Sequence, residues 1–465
     1  MLLFPEFRRQ LWLEATTARL ITIPVLIGLV AYLTAQGDLS PYKHLFWVSS
    51  IAFFLFTIVW GSFKSSQALG KEISTNTWDF QRMSPMSASS LILGKIFGST
   101  IMCWYGGTMS LIIAIPAYMS YAGITGLFNP YILTIISTYI GLALIAQSLP
   151  VVITLQEALY KNAERKTHPA IFSVLCAIAM GPFFMFLTEY FEGAVNNSYT
   201  FTRYNKQIEW YDFSIRKIDA HITLIWMMVI SCFIASWRSM RAELQHRDTP
   251  TFWLLGLTAW IAIIAGFADI EPIANDTPVR LVIGFLLLTG AAYSMAFLES
   301  NDPLHIRKAI QGLSKPRTKE KLHSIPKWCI AYCLALLIAC ITPFTMPEYP
   351  DREIMSIPLF IITAALLITR DISIIMILRL TPNIKRSTLA IVTSAIFLYS
   401  LLPWMEKTLT GELRFFLFEP DSIEPITTFF MAAQCITAVI ALYILRLKEQ
   451  FQNLDNSEKP SVIDQ

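Results

Sequence analysis

Long apolar runs recur along the whole chain, and they restrict its possible folds more than any motif does. Stretches of about 17–25 residues with few charges lie near 18–35, 45–63, 96–118, 131–154, 169–188, 220–237, 252–269, 280–298, 328–345, 355–378, 388–404 and 426–445. Each has the length a helix needs to cross a hydrocarbon layer about 30 Å thick. In lipid the backbone must satisfy its own polar groups, and apolar runs of this length do so as helices. With 54% hydrophobic and 15% charged residues and a mean hydropathy of +0.52, the chain is too apolar for a soluble domain of 465 residues. The expected fold is an all-α integral membrane protein of about twelve transmembrane helices. The first run follows Arg8 and Arg9, carries Arg19 at its start and has no A-x-A-like cleavage site. It is therefore read as a retained helix.

Basic residues set the expected orientation. With the amino terminus inside, 27 of the 36 Lys and Arg fall on the inner side, whereas the 33 Asp and Glu divide almost evenly. Cation-rich short loops stay cytoplasmic, so both termini are expected there, in a cell's inner (cytoplasmic) membrane. The net charge of +3 is then a topological signal. It gives no reason to expect a nucleic-acid partner, and the inner face would attract anionic lipid.

The seven Cys, at 103, 176, 232, 329, 333, 340 and 435, all fall in apolar runs and read as small buried hydrophobes. Cys329 and Cys333 are four apart but lack His or carboxylate neighbours, so no metal site is expected. The six His show no recurring spacing. At the amino terminus Phe4, Phe7 and Leu11 share one helical face, with Glu6 and Arg9 roughly opposite, which suggests an interfacial helix before the first span.

The most informative polar stretch runs from Lys71 to Lys95, KEISTNTWDFQRMSPMSASSLILGK, within a loop spanning 64–95. At about 100° per residue Ile73, Thr77 and Phe80 share one face, and Glu72, Asp79 and Arg82 another, so an amphipathic helix is expected. Ser84 followed by Pro85 offers a cap and a first helical residue for a second helix leading into the next span. Gly94 and Gly98 form a G-x-x-x-G where another helix could approach closely.

These residues resemble the cytoplasmic loop of ABC-2 type transporter permeases. That loop has a Glu, then Thr with a bulky residue and an acid, then Ser/Thr-Pro-Leu/Met-Ser, then Leu-x-Gly-Lys. The matching positions are Glu72, Thr77, Trp78, Asp79, Ser84, Pro85, Met86, Ser87, Leu91, Gly94 and Lys95. Leu93 directly precedes the Gly, and Asn76 stands where the family usually has Gly. The resemblance implies the membrane-spanning subunit of an ATP-binding cassette exporter. Its ATP-binding subunits, in two copies, would dock on Glu72, Ile73, Thr77, Trp78, Asp79, Phe80, Arg82, Ser84 and Pro85. ATP and magnesium would belong to those subunits, with no cofactor in this chain. An amino-terminal amphipathic helix is also what the resemblance implies.

The chain itself has no G-x-x-x-x-G-K-[ST]: Gly70-Lys71 precedes Glu72, and Gly94-Lys95 precedes Ile96. It therefore lacks the phosphate-binding loop of that chemistry and is not expected to be an enzyme. A weak internal repeat supports two parallel six-helix halves, 1–249 and 250–446, with a cytoplasmic tail at 447–465. LIAQSLPVVITL from Leu144 resembles LITRDISIIMIL from Leu367, and AIFSVLCAIAMGP from Ala170 resembles AIVTSAIFLYSLLP from Ala390. In the second half the stretch 299–327 carries a basic segment, Arg307 to Lys321, in place of the motif. The outer stretch 189–219 holds aromatic residues suited to a membrane interface. Gln147, Arg370 and Asp371 are polar residues inside apolar runs, and the charged pair is expected either to be paired in a polar interior or to snorkel outward. A twelve-helix secondary transporter is the alternative to the permease, and a membrane enzyme would need a carboxylate or metal constellation that the loops do not show.

Overall fold

The computed structural model describes residues 5–36, 41–75, 77–124, 126, 129–160, 207–211, 213–246, 251–267, 277–298, 326–345, 352–380, 391, 393, 394, 396–410 and 425–458, with isolated residues between 173 and 191. The chain divides into two compact units, Met1–Asp248 and Thr249–Gln465.

In the first unit α1 (Pro5–Glu14) leads into α2 (Thr17–Gln36) and α3 (Pro41–Phe53). A π-helical segment, Phe54–Trp60, joins α3 to α4 (Gly61–Ser74), so that Pro41–Ser74 is one 34-residue helix. At about 1.5 Å per residue it is longer than a bilayer core is thick, so its polar end stands clear of the hydrocarbon. Two short helices follow, α5 (Trp78–Arg82) and α6 (Ala88–Leu93), then a second π-helical segment, Gly94–Gly98. α7 (Ile101–Ala122) ends at Gly123, whose φ of 63° is the left-handed conformation that stops a helix. α8 (Pro130–Tyr160) starts with proline, and the Asn129 side chain accepts a 3.0 Å hydrogen bond from the Tyr131 amide. α9 (Lys217–Glu243) completes the unit.

The core of this unit is aromatic. Phe46 packs on Tyr118 and Phe53 on Tyr139, at ring-centroid distances of 5.0 and 5.3 Å, and Phe184 lies 4.8 Å from Tyr139. Close packing of α7 on the first π-helical segment depends on Gly107, where an added Cβ would lie 2.2 Å from Thr57 Cγ2. Gln147 braces the same region. Its amide donates to the Thr57 carbonyl (3.0 Å) and accepts from Trp104 Nε1 (2.9 Å) and Thr100 Oγ1 (3.2 Å), which satisfies a fully buried polar group. In contrast, α2 buries only Ile23 and Ile27 and leaves the rest of its apolar surface outward, as a lipid-facing helix does.

The second unit contains α10 (Thr251–Ala265), α11 (Thr277–Leu298), α12 (Lys327–Ile341), α13 (Arg352–Leu380), a π-helical segment at Phe397–Leu401, α14 (Leu402–Thr410) and α15 (Pro425–Glu458). Ala331, Ala335 and Ala339 recur every four residues on the buried face of α12. This small-residue stripe lets Phe285, Leu288 and Ala292 of α11 and Ile361 and Ile368 of α13 pack in the same core.

Eight helices among the described residues are long and apolar enough to cross a membrane. They coincide with eight of the twelve runs read from the sequence. The runs at 252–269 and 426–445 hold shorter apolar helices, Thr251–Ala265 and Thr428–Ile444; the run at 169–188 falls largely outside the described residues, and that at 388–404 is described in part, ending in the π-helical segment Phe397–Leu401 and the start of the helix Leu402–Thr410. The stretch 299–325, with its basic segment, also lies outside them.

Two expectations need amendment. The helical reading must admit a hairpin, β1 (Gln207–Trp210) with β2 (Phe213–Arg216), antiparallel and pairing Ile208 with Ile215 and Trp210 with Phe213. Here β-branched and aromatic pairs around a tight turn favour strands over an aromatic-lined loop. The stretch from 447 is helical as far as Glu458, because α15 runs on past its apolar part, Thr428–Ile444, with no Gly or Pro to stop it. Cys333 and Cys340 are exposed rather than buried, since the alanine stripe takes the inward face of α12.

Candidate functional site

Two buried polar clusters stand out, one in each unit, and each includes a residue on a π-helical segment. Such segments widen the helix and turn a side chain away from the ordinary register, and they are frequent at functional sites.

The first cluster centres on Lys95, which sits on Gly94–Gly98 and is fully buried (0% exposed). Its ammonium donates to Glu72 at the end of α4, lies 3.5 Å from Glu6 Oε1 of α1 and stands 5.2 Å from the Trp78 ring centroid. Arg9 donates to both carboxylates, at 2.7 Å to Glu6 Oε1 and also to Glu72. Two cations thus face two anions. Gln10 and Gln81 add amide donors, 3.0 Å to Glu6 and 2.8 Å to Glu72. On the far side, Trp78 Nε1 donates to Glu243 Oε1 of α9 at 3.0 Å, and Arg82 lies 3.5 Å from the same oxygen. Glu14 at the end of α1 accepts from Lys64 Nζ of α4 at 3.0 Å, so α1 is held at both ends.

The two glycines explain how α1 comes so close. A Cβ at Gly94 would lie 2.7 Å from Glu6 Cβ and 2.8 Å from the Phe7 nitrogen, and one at Gly98 would lie 2.7 Å from Gln10 Cβ. The G-x-x-x-G therefore seats α1, and α1 buries its polar side. This reverses the amphipathic reading of the amino terminus: Glu6 and Gln10 are buried, Phe7 and Leu11 only half-buried, and Phe4 lies outside the described residues. The physical reason is Lys95, whose burial requires counter-charge.

The expected docking surface is also rearranged. Ile73 and Thr77 do not share a helix, because α4 stops at Ser74. The Thr75 amide and hydroxyl bond back to the Lys71 carbonyl (2.9 and 2.8 Å), and the Thr77 amide to that of Glu72 (3.0 Å). Ser84 is not the cap of the following helix. Its hydroxyl donates to the Gln81 carbonyl at 2.6 Å, Pro85 precedes the helix, and Ser87 accepts from the Ser90 amide at 3.3 Å. Glu72, Ile73 and Trp78 turn inward, the last two into a small core with Leu69, Leu91 and Leu155. Thr77 and Pro85 are exposed, Asp79 and Arg82 partly so, and Phe80 (73% exposed) and Met83 (76%) project outward.

The second cluster is built on Arg370 and Asp371 of α13. Arg370 Nε donates to Asp371 Oδ1 at 2.9 Å and its Nη1 to Gln434 Oε1 of α15 at 2.7 Å. Arg370 is 2% exposed, so its side chain turns into the helix bundle of the unit rather than outward. Asp371 Oδ2 accepts from Tyr293 OH of α11 at 2.7 Å and from Tyr399 OH on the Phe397–Leu401 segment. Asp371 and the two tyrosines border a cavity of about 520 Å³ whose remaining walls are mostly aliphatic. Sequence reasoning missed Tyr293, Tyr399 and Gln434 here, and Glu6, Arg9 and Glu243 in the first cluster. Tyrosines at the ends of apolar runs give no signal, and Glu243 is 165 residues from its partner Trp78.

Glu6 makes the first cluster sensitive to acid. Burial pushes its carboxyl up, but the Arg9 hydrogen bond, the Lys95 charge and the Gln10 amide together hold it below the ordinary value of 4.5. A depressed folded-state value adds stability above about pH 4.5 that is lost as the pH falls through the lowered value. The melting temperature should therefore drop on acidification below about pH 4.5, and Glu6→Gln should flatten that part of the profile. An unchanged profile in Glu6→Gln would assign the acid sensitivity elsewhere.

Together these features define a multi-pass helical membrane protein. No protein-family model, curated protein or solved structure matches the chain.

Proposed function

We propose that this chain is the permease subunit of an ATP-binding cassette exporter, with twelve spans in two parallel halves and both termini in the cytoplasm. Separate ATPase subunits, two per transporter, bring ATP and magnesium and dock on the α4–α6 region. The observation that carries this reading is the build of α5. Trp78 anchors it from below to Glu243 and Lys95, while Phe80 and Met83 stand on the opposite side with nothing over them among the described residues. A short helix tied to α4 through Gln81 and Glu72, to α9 through Trp78 and Glu243, and to the Lys95 cluster that also holds α1, and bearing two apolar side chains, can pass a push from a partner's groove into α1, α4 and α9. The motif residues Glu72, Trp78 and Lys95 act as the rigid mount, and Phe80 and Met83 as the contact.

The repeat is consistent with this reading. It aligns Gln147 on α8 with Arg370 on α13, and both are buried and hydrogen-bonded to other helices of their units. Export is the direction the motif favours.

Phe80→Asp with Met83→Asp tests the docking role. Both sites are exposed, so thermal stability should stay within about 0.5 kcal/mol, while co-purification of an ATPase and ATP-driven transport should fall at least about tenfold, the loss expected when apolar anchors leave an interface. A chain that purifies without any ATPase and transports on an ion gradient would favour the secondary-transporter alternative.

A further inference from the structure

We propose that the cavity in the second unit binds lipophilic amines, with the ammonium group at Asp371, Tyr293 and Tyr399 and the apolar body against Phe285, Leu367 and Ile375. The argument rests on what the cavity offers a ligand. Tyr293 and Tyr399 give their hydroxyl protons to Asp371, Thr289 gives its proton to the Phe285 carbonyl (2.7 Å), and Ser394 gives its proton to the Ile391 carbonyl (2.8 Å). Every polar side chain on the wall therefore presents oxygen lone pairs and no spare proton. A ligand must supply the donors.

Charge points the same way. Arg370 is absent from the cavity wall and holds Asp371 through Oδ1, while its guanidinium reaches Gln434 of α15 and lies 5.7 Å from the Tyr399 ring centroid, so the anionic member of the ion pair is the one that borders the cavity. An ammonium gains from the Asp371 carboxylate and from the nearby Tyr293 and Phe285 rings on the wall, whereas a carboxylate or phosphate would meet the Asp371 charge and only acceptors. The volume of about 520 Å³ and the aliphatic walls suit a ligand of drug size with one polar end. Leu286 and Tyr399, 50% and 39% exposed, lie at the margin of the wall and leave the cavity open to the helix surface, where lipid-dissolved amines would collect. This site lies wholly within the second unit and needs no ATPase.

The test is saturable binding to the purified full-length protein in lipid nanodiscs, followed by the intrinsic fluorescence of three probes of one shape: 2-naphthylmethylamine, 2-naphthalenemethanol and 2-naphthoate. The amine should bind at least tenfold more tightly than the alcohol, and the acid should not bind. Asp371→Asn should bring the amine to the level of the alcohol and leave the alcohol unchanged. Leu367→Trp, which fills the cavity away from the ion pair, should abolish binding of both. Should Asp371→Asn fail to fold, Tyr293→Phe and Leu367→Trp decide the matter, with a several-fold loss of amine binding expected in the first and complete loss in the second. Equal binding of amine and alcohol to the native protein, or amine binding untouched by Leu367→Trp, would overturn the proposal.

Discussion

Lys95→Met is expected to destabilise the first unit by about 3–5 kcal/mol, the range for removing one partner from a buried charge cluster. Lys95 is fully buried, and its loss leaves the Glu6 and Glu72 carboxylates with Arg9 as their remaining cation. Methionine preserves most of the side-chain volume, so the deficit reports charge rather than a void. Thermal unfolding in nanodiscs measures it. The informative companion is Lys95→Met combined with Glu72→Gln, which removes one charge of each sign. It should lose clearly less than the sum of the two single changes, because neither charge is then left alone. A loss below about 1 kcal/mol in Lys95→Met would mean that water or a relaxed backbone compensates the carboxylates, and that Lys95 is not the hub of the cluster.

The second large effect is expected at Gly94. Valine there would drive new atoms into Glu6 Cβ and the Phe7 backbone nitrogen, already 2.7 and 2.8 Å from an ideal Cβ. Overpacking alone costs about 1–3 kcal/mol, and a backbone atom cannot rotate away as a side-chain tip can. Relief requires α1 to lift, and lifting α1 removes Glu6 from Lys95, so a total of about 3 kcal/mol or more is expected. Freed α1 should also become a protease substrate. Trypsin cleavage at Arg8 and Arg9 should quicken by an order of magnitude. The control is Gly28→Val in α2, where an added side chain meets nothing within 4 Å and the change should stay within about 0.5 kcal/mol. Equal effects at the two glycines would show that helix propensity, not the seating of α1, is being measured.

Part of the polar architecture was legible locally. The G-x-x-x-G announced a close approach, and the Arg370–Asp371 pair announced a buried polar centre, because both signals need only neighbouring residues. The amphipathic pattern from Glu72 to Arg82 misled for an equally local reason. Spacing at 100° per residue assumes that the helix continues, and it cannot register the Thr75 and Thr77 back-bonds that end α4 first.

What the sequence determined by itself is that the chain forms long apolar helices suited to a membrane. Length, hydropathy and the demand that a backbone in lipid satisfy its own hydrogen bonds are properties of each segment alone. What only the tertiary structure decided is which polar groups meet: Glu6 with Lys95, Trp78 with Glu243, Asp371 with Tyr293 and Tyr399. These partners lie 28 to 165 residues apart. A buried charge is tolerated only where packing delivers its counter-charge in space, and nothing in the local pattern states where that will be.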